Sequence, residues 1–130
     1  MLVLDASAAV QAALAESGFE PFVPEAVVAP DLLWSEVTSV LHELAWRRAI
    51  PPDRAAEALE RFAAGAVERR APRKLRAEAW RVADALGWTK TYDAEYVALA
   101  RLLGCRLVTS DERLRRGAAR LVEAVAPADL

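Results

Sequence analysis

One cysteine and one histidine are all that the 130 residues hold of either type. Cys105 has no partner for an internal disulfide, so covalent stapling is excluded and a reducing cytoplasm is the expected compartment. His42 alone supplies no set of imidazole or thiolate donors, which excludes an ordinary zinc site. The five glycines are spread thinly and form neither a Walker-type phosphate loop nor a GxSxG nucleophile elbow. No apolar run is long enough to cross a bilayer and no signal-peptide pattern opens the chain, so no membrane partner is expected. A basic excess is missing too: 17 Lys and Arg stand against 19 Asp and Glu, a net charge of −2. That gives no global footprint for nucleic acid, although a local basic rim around an acidic site is compatible with it.

What is present suits a compact globular chain: 55% of the residues are hydrophobic and 28% charged, enough for one domain over residues 1–130. "MLVLD" is an apolar run of strand length ending on Asp5. The Ala-rich "ASAAVQAALAESG" after it reads as a helix closed by Gly18. "AVVAP" supplies a second short strand ended by Pro30, and Leu33, Val37, Val40, Leu41 and Leu44 then recur at helical spacing between Asp31 and about Arg48. After "IPPD" come the amphipathic "RAAEALERFAAGA", a third strand within "AVERRAP" and a helix from about Arg73 to Leu86. "YDAEYVALARLLG" is another helix, closed by Gly104, and "CRLVTS" another strand. The tail offers a short helix and a last strand around Leu121 to Val125. Strands separated by helices require crossover connections, which predicts a short parallel sheet in a three-layer α/β/α fold.

That topology gives the carboxylates a meeting place. Asp5 ends the first strand and Asp111 lies just past a later one, so parallel neighbours in mid-sheet deliver both acids to one edge, where ligands bind in open α/β sheets. Each also precedes a helix, and capping of the first-turn N–H groups is the competing reading. Glu36 borders the buried stripe of the long helix, whereas Glu43 is about 10 Å further along the axis, so Glu36 is the one expected at the strand ends. Asp93 continues the apolar face formed by Tyr96, Val97 and Ala100, which points it inward from the first turn of its helix. Four converging carboxylates repel one another unless a cation neutralises them, and oxygen-only donors favour Mg²⁺ or Mn²⁺. Such an ion can activate water and bind a phosphate oxygen, which points to phosphodiester hydrolysis.

"LDAS", "SEVTSVL", "TYDAEYVALA" and "LVTSDERL", in this order and across nearly the whole chain, resemble a PIN-domain ribonuclease of the VapC toxin type. The resemblance implies a Mg²⁺-dependent endoribonuclease whose acids are Asp5, Glu36, Asp93 and Asp111, with Ser7 and Thr109 as supporting hydroxyls. It also implies an RNA substrate, a cognate antitoxin held beside the site, and a homodimer. Lys90, Arg113 and Arg116 flank the acids in sequence and are candidates for RNA phosphates, as is the neighbouring Arg115. The basic run "ERRAPRKLR", residues 68 to 76, has no predicted position near the acids and reads as exposed charge. Trp34, Trp46, Trp80 and Trp88 read either as core or as lining for an antitoxin helix or dimer seam. Trp88 and Tyr92 are also able to stack on a base. A haloacid-dehalogenase-like hydrolase with Asp5 as nucleophile fits poorly, because "LDAS" lacks a second Asp two residues on. A non-catalytic PIN-fold module serving mainly as the antitoxin's partner is the alternative.

Overall fold

The computed structural model describes residues 1–130. Five strands form one sheet: β1 (Leu2–Leu4), β2 (Val27–Ala29), β3 (Glu68–Arg69), β4 (Arg106–Val108) and β5 (Ala124–Val125). Their order is β3-β2-β1-β4-β5 and every pairing is parallel. The helices are α1 (Ala6–Leu14), α2 (Leu32–Trp46), α3 (Pro52–Ala63), α4 (Leu75–Leu86), α5 (Tyr92–Leu103) and α6 (Glu112–Ala118). No helix is long and apolar enough to cross a membrane.

β1 and β2 are buried at every position, as continuous apolar runs must be when both sheet faces are covered. The chain steps from β1 to β2 to β3 in one direction, then returns past β1 to β4 and β5. Right-handed crossovers therefore place α1, α2 and α3 on one face and the later helices on the other. The contacts agree: α1, α2 and α3 pack on one another, α4 packs on α5, and α5 lies on β1 and β4. This is the expected three-layer α/β/α architecture.

The reversal in strand order falls between β1 and β4, where such sheets open a crevice at their carboxyl ends. Register aligns that rim: Leu4 pairs with Val108, Val108 with Val125 and Ala29 with Arg69. The ladder continues by one residue, since Asp5 N–H donates to Val108 O (3.2 Å), Thr109 N–H to Val125 O (3.0 Å) and Arg70 N–H to Ala29 O (2.9 Å). Asp5, Thr109 and Arg70 thus leave the sheet at the same edge. The basic run begins at that rim, with its charged residues exposed, as the sequence suggested, apart from the half-buried Arg70.

One boundary differs from expectation. α1 stops at Leu14, not at Gly18, because side chains from α3 cap it: Arg61 Nη1 donates to Ala13 O (3.1 Å) and Ala15 O (2.5 Å), and Arg54 Nη2 to Leu14 O (3.3 Å). Cations at a helix carboxyl end complement its dipole. The tail helix begins at Glu112, directly after Asp111, which caps it as the sequence allowed.

Candidate active site at the carboxyl rim

Asp5 and Asp111 each follow a strand and begin a helix, and both do cap. Asp5 Oδ1 accepts from Ala8 N–H (3.0 Å), and Asp111 Oδ1 accepts from the N–H groups of Arg113 (2.9 Å) and Leu114 (3.2 Å). Capping and site membership are compatible, since a cap occupies one carboxylate oxygen and fixes where the other points. Asp111 Oδ2 receives no hydrogen bond from the protein.

Asp5 is almost fully buried, 4% exposed, and held by hydroxyls on both sides. Ser7 Oγ donates across both of its oxygens (2.8 and 3.0 Å), and Thr109 Oγ1 donates to Oδ2 at 2.6 Å. Thr109 Oγ1 in turn accepts Asp111 N–H (3.0 Å), and Ser7 Oγ accepts Ser110 N–H (3.0 Å). Both supporting hydroxyls anticipated from the sequence thus lie between the two strand-end acids and tie them together.

Glu36 arrives from α2 and Asp93 from the first turn of α5. With Asp111 they line a cavity of about 500 Å³ whose other walls include Gly87, Trp88, Lys90, Tyr92 and Arg113. Asp5 is set behind this lining, close enough for its charge to act on Glu36. Burial is the main cause that pushes the carboxyls of Asp5, Glu36 and Asp93 above the ordinary range. Mutual repulsion adds to it: Asp93 acts on Asp5, Asp93 and Asp5 on Glu36, and Asp111 on Asp93.

Tyr96 is the participant that sequence reasoning missed. It is 1% exposed, and its hydroxyl donates to Glu36 Oε1 at 2.7 Å, joining α5 to α2. Its phenol is pushed well above the ordinary range by burial and then by the adjacent Glu36. The signal was available: a tyrosine on an apolar helix face needs a partner for its hydroxyl, and Glu36 was already expected at that edge.

Among the cations, Lys90 and Arg113 reach the cleft, but Arg116 does not. It sits almost a turn beyond Arg113 on α6, where its guanidinium bonds Glu112. Arg115 is also outside the lining, and Glu43 is exposed further along α2. The tryptophans divide. Trp34 packs on Phe62 with Arg69 3.9 Å above its ring, Trp46 and Trp80 are exposed, and Trp88 lies in the cleft wall.

Whether these residues suit a divalent ion is a question of donors. No three acidic side chains already close into a ligand set. The cleft nevertheless offers carboxylate oxygen without imidazole or thiolate. Asp93 carries no hydrogen bond from the protein, and Glu36 and Asp111 each keep an oxygen unbonded. That fits a hard cation such as Mg²⁺, which retains several waters and does not require a complete protein cage.

Comparison with known proteins gives a consistent result. A family profile described as PIN domain matches residues 2–120. The VapC ribonuclease Mb0985 of Mycobacterium bovis and ribonuclease VapC9 of Mycobacterium tuberculosis are each 37% identical over 115 residues, 88% of this chain and 88% of theirs. Among solved structures, PAE2754 from Pyrobaculum aerophilum superposes with a TM-score of 0.78 at 25% identity, covering 98% of this chain and 91% of that one. VapBC2 from Rickettsia felis, bound to a DNA fragment from its promoter, superposes at 0.67 with 11% identity over 97% of this chain and 98% of that one, a likeness of fold alone.

Proposed function

The chain belongs to the PIN-domain family, and we propose that it is a divalent-metal-dependent endoribonuclease, the toxin of a toxin–antitoxin pair. The observation that carries this reading is the convergence of Asp5, Glu36, Asp93 and Asp111 from separate elements on one rim, where burial and then repulsion between the acids raise the carboxyl pKa values of Asp5, Glu36 and Asp93. Such repulsion costs stability and is relieved when a cation binds. The names of the relatives at 37% identity, both VapC ribonucleases, supply the reaction class.

Asp93, Glu36 and Asp111 would hold the ion through their unbonded oxygens, and Asp5 would complete the set or accept from one of the ion's waters. When bound, Mg²⁺ or Mn²⁺ supplies Lewis acidity toward a phosphate oxygen and acidifies coordinated water. The chain's own groups do the positioning. Ser7 and Thr109 orient Asp5, Tyr96 orients Glu36, and the caps of α1 and α6 fix the two strand-end acids. Lys90 and Arg113 lie where phosphates flanking the scissile bond would pass.

The test is cleavage of a mixed RNA pool by wild-type protein with Mg²⁺, by wild-type protein with chelator, and by Asp93→Asn with Mg²⁺. Cleavage is expected only in the first. Equal cleavage in all three would reject the metal mechanism, and no cleavage in any would reject the ribonuclease reading. A cognate antitoxin co-expressed with the chain should co-purify with it and suppress the cleavage.

A further inference from the structure

Gly18, Gly65, Gly87 and Gly104 all have positive φ, which explains why each is glycine. Gly117 does not. It sits inside α6, where glycine weakens a helix relative to alanine. Its reason is a neighbour: a Cβ at 117 would lie 2.9 Å from Trp88 Cζ2, with Cε2 at 3.7 Å and Nε1 at 3.8 Å. The Nε1–Cζ2 edge of the indole therefore rests where a side chain at 117 would be. The backbone of Trp88 is fixed as well. Gly87 ends α4 at φ 70, and Trp88 N–H donates to Ala83 O at 2.8 Å.

A ring fixed at its edge and only partly buried still has surface to offer, and Trp88 offers it to the cleft that holds Glu36, Asp93 and Asp111. Tyr92 lines the same cleft and is 58% exposed. Carboxylates that hold a cation have no need of aromatic walls, but a nucleotide brings a base together with its phosphate.

We propose that Trp88, seated on Gly117, is a base-stacking subsite that holds the nucleobase next to the phosphodiester presented to the acids, with Tyr92 as a second aromatic wall. This deepens the ribonuclease reading and rests on it. Stacking on a π-face tolerates any base, so the subsite grips without choosing sequence. It does require the base at that position to be out of a duplex.

The experiment pairs protein variants with oligoribonucleotides that each carry one abasic residue, stepped across the cleavage point. For wild-type protein one abasic position should cost about tenfold in kcat/KM, mostly through KM. Trp88→Leu should lose about as much on intact RNA and nothing further on that abasic RNA. Trp88→Phe should restore the coupling, and Gly117→Ala, which displaces the ring, should weaken it in a folded protein. Abasic penalties equal in wild type and Trp88→Leu at every position would overturn the subsite and leave Trp88 as packing. Anisotropy binding of the same oligonucleotides with Ca²⁺ in place of Mg²⁺ keeps the two readings apart. Coupled losses in binding without cleavage by wild-type protein would retain the subsite and reject the nuclease, and uncoupled binding would reject the subsite whatever the cleavage result.

Discussion

The hydroxyl of Tyr96 on α5 donates to Glu36 Oε1 on α2 at 2.7 Å, linking helices from opposite faces of the sheet at the rim where the acids gather. Tyr96→Phe keeps the buried ring and removes only that bond. A hydrogen bond to a charged acceptor contributes about 1.5–3 kcal/mol, and its loss here also frees a carboxylate proposed to bind metal. The variant should unfold at a slightly lower temperature, and both its Mn²⁺ affinity and its RNA cleavage should fall by about tenfold. Unchanged Mn²⁺ binding by calorimetry would show that Glu36 does not need this anchor.

The raised carboxyl pKa values fix the sign of a pH effect. Asp5, Glu36, Asp93 and Glu95 lie above their ordinary values of 3.8 for Asp and 4.5 for Glu, chiefly through burial. Between those values and the raised ones the native state binds more protons than the unfolded chain, so stability falls as pH rises through that window. Glu25, lowered by hydrogen bonding and charge attraction from the N-terminal ammonium, acts in the opposite sense below its ordinary value. In chelator the melting temperature should therefore decline as pH rises above those ordinary values. Millimolar Mg²⁺ should raise it and flatten the slope, since a ligand that binds only the native state stabilises it. Identical curves with and without Mg²⁺ would count against metal at these acids.

Much of this site is legible in the chain because strand ends and helix starts share a chemistry. Asp5 and Asp111 stand out as acids after apolar runs, and Glu36 and Asp93 by their phase on amphipathic helices. What joins them is strand order: nothing local in residues 2–4 or 106–108 states that β1 and β4 are neighbours, and only that pairing turns two helix caps into one cleft. Contacts made by long side chains across elements are equally silent. The capping of α1 by Arg61 comes from another helix, whereas the Glu112–Arg116 pair is an i,i+4 contact within α6 that spacing makes readable, and Arg116 lies outside the cleft lining. The basic run at 68–76 is exposed, as its composition implied, but that it begins at the sheet's carboxyl rim depends on β3 pairing with β2.

Neutralising different acids should have opposite effects on the metal-free fold. Asp93 accepts no hydrogen bond from the protein and faces Asp111, so Asp93→Asn removes repulsion and breaks no bond. It should melt higher than wild type in chelator and cleave no RNA. Asp5→Asn instead turns an amide NH₂ toward hydroxyl and backbone donors that now bond a carboxylate, leaving buried polar groups mismatched at a cost of about 1–3 kcal/mol. It should melt lower. Matching shifts in the two variants would mean that the acids share one environment, contrary to the hydrogen-bond pattern.

Thr109 carries the last distinction, between a hydroxyl that serves the fold and one that serves the site. It is fully buried at 0% exposure, donates to Asp5 Oδ2 and accepts Asp111 N–H. Thr109→Val preserves the shape but leaves the amide unpaired and deprives a buried carboxylate of its shortest bond, which should cost about 2–3 kcal/mol in urea unfolding. Losing that bond also removes an influence that lowers the Asp5 pKa, so the pH-dependent decline in stability should extend to higher pH in the variant. Thr109→Ser keeps the oxygen and should restore both the pH profile and RNA cleavage, while recovering less of the stability because its missing methyl leaves a small void. Cleavage lost equally in the Ser and Val variants would assign the residue's importance to packing and not to its grip on Asp5.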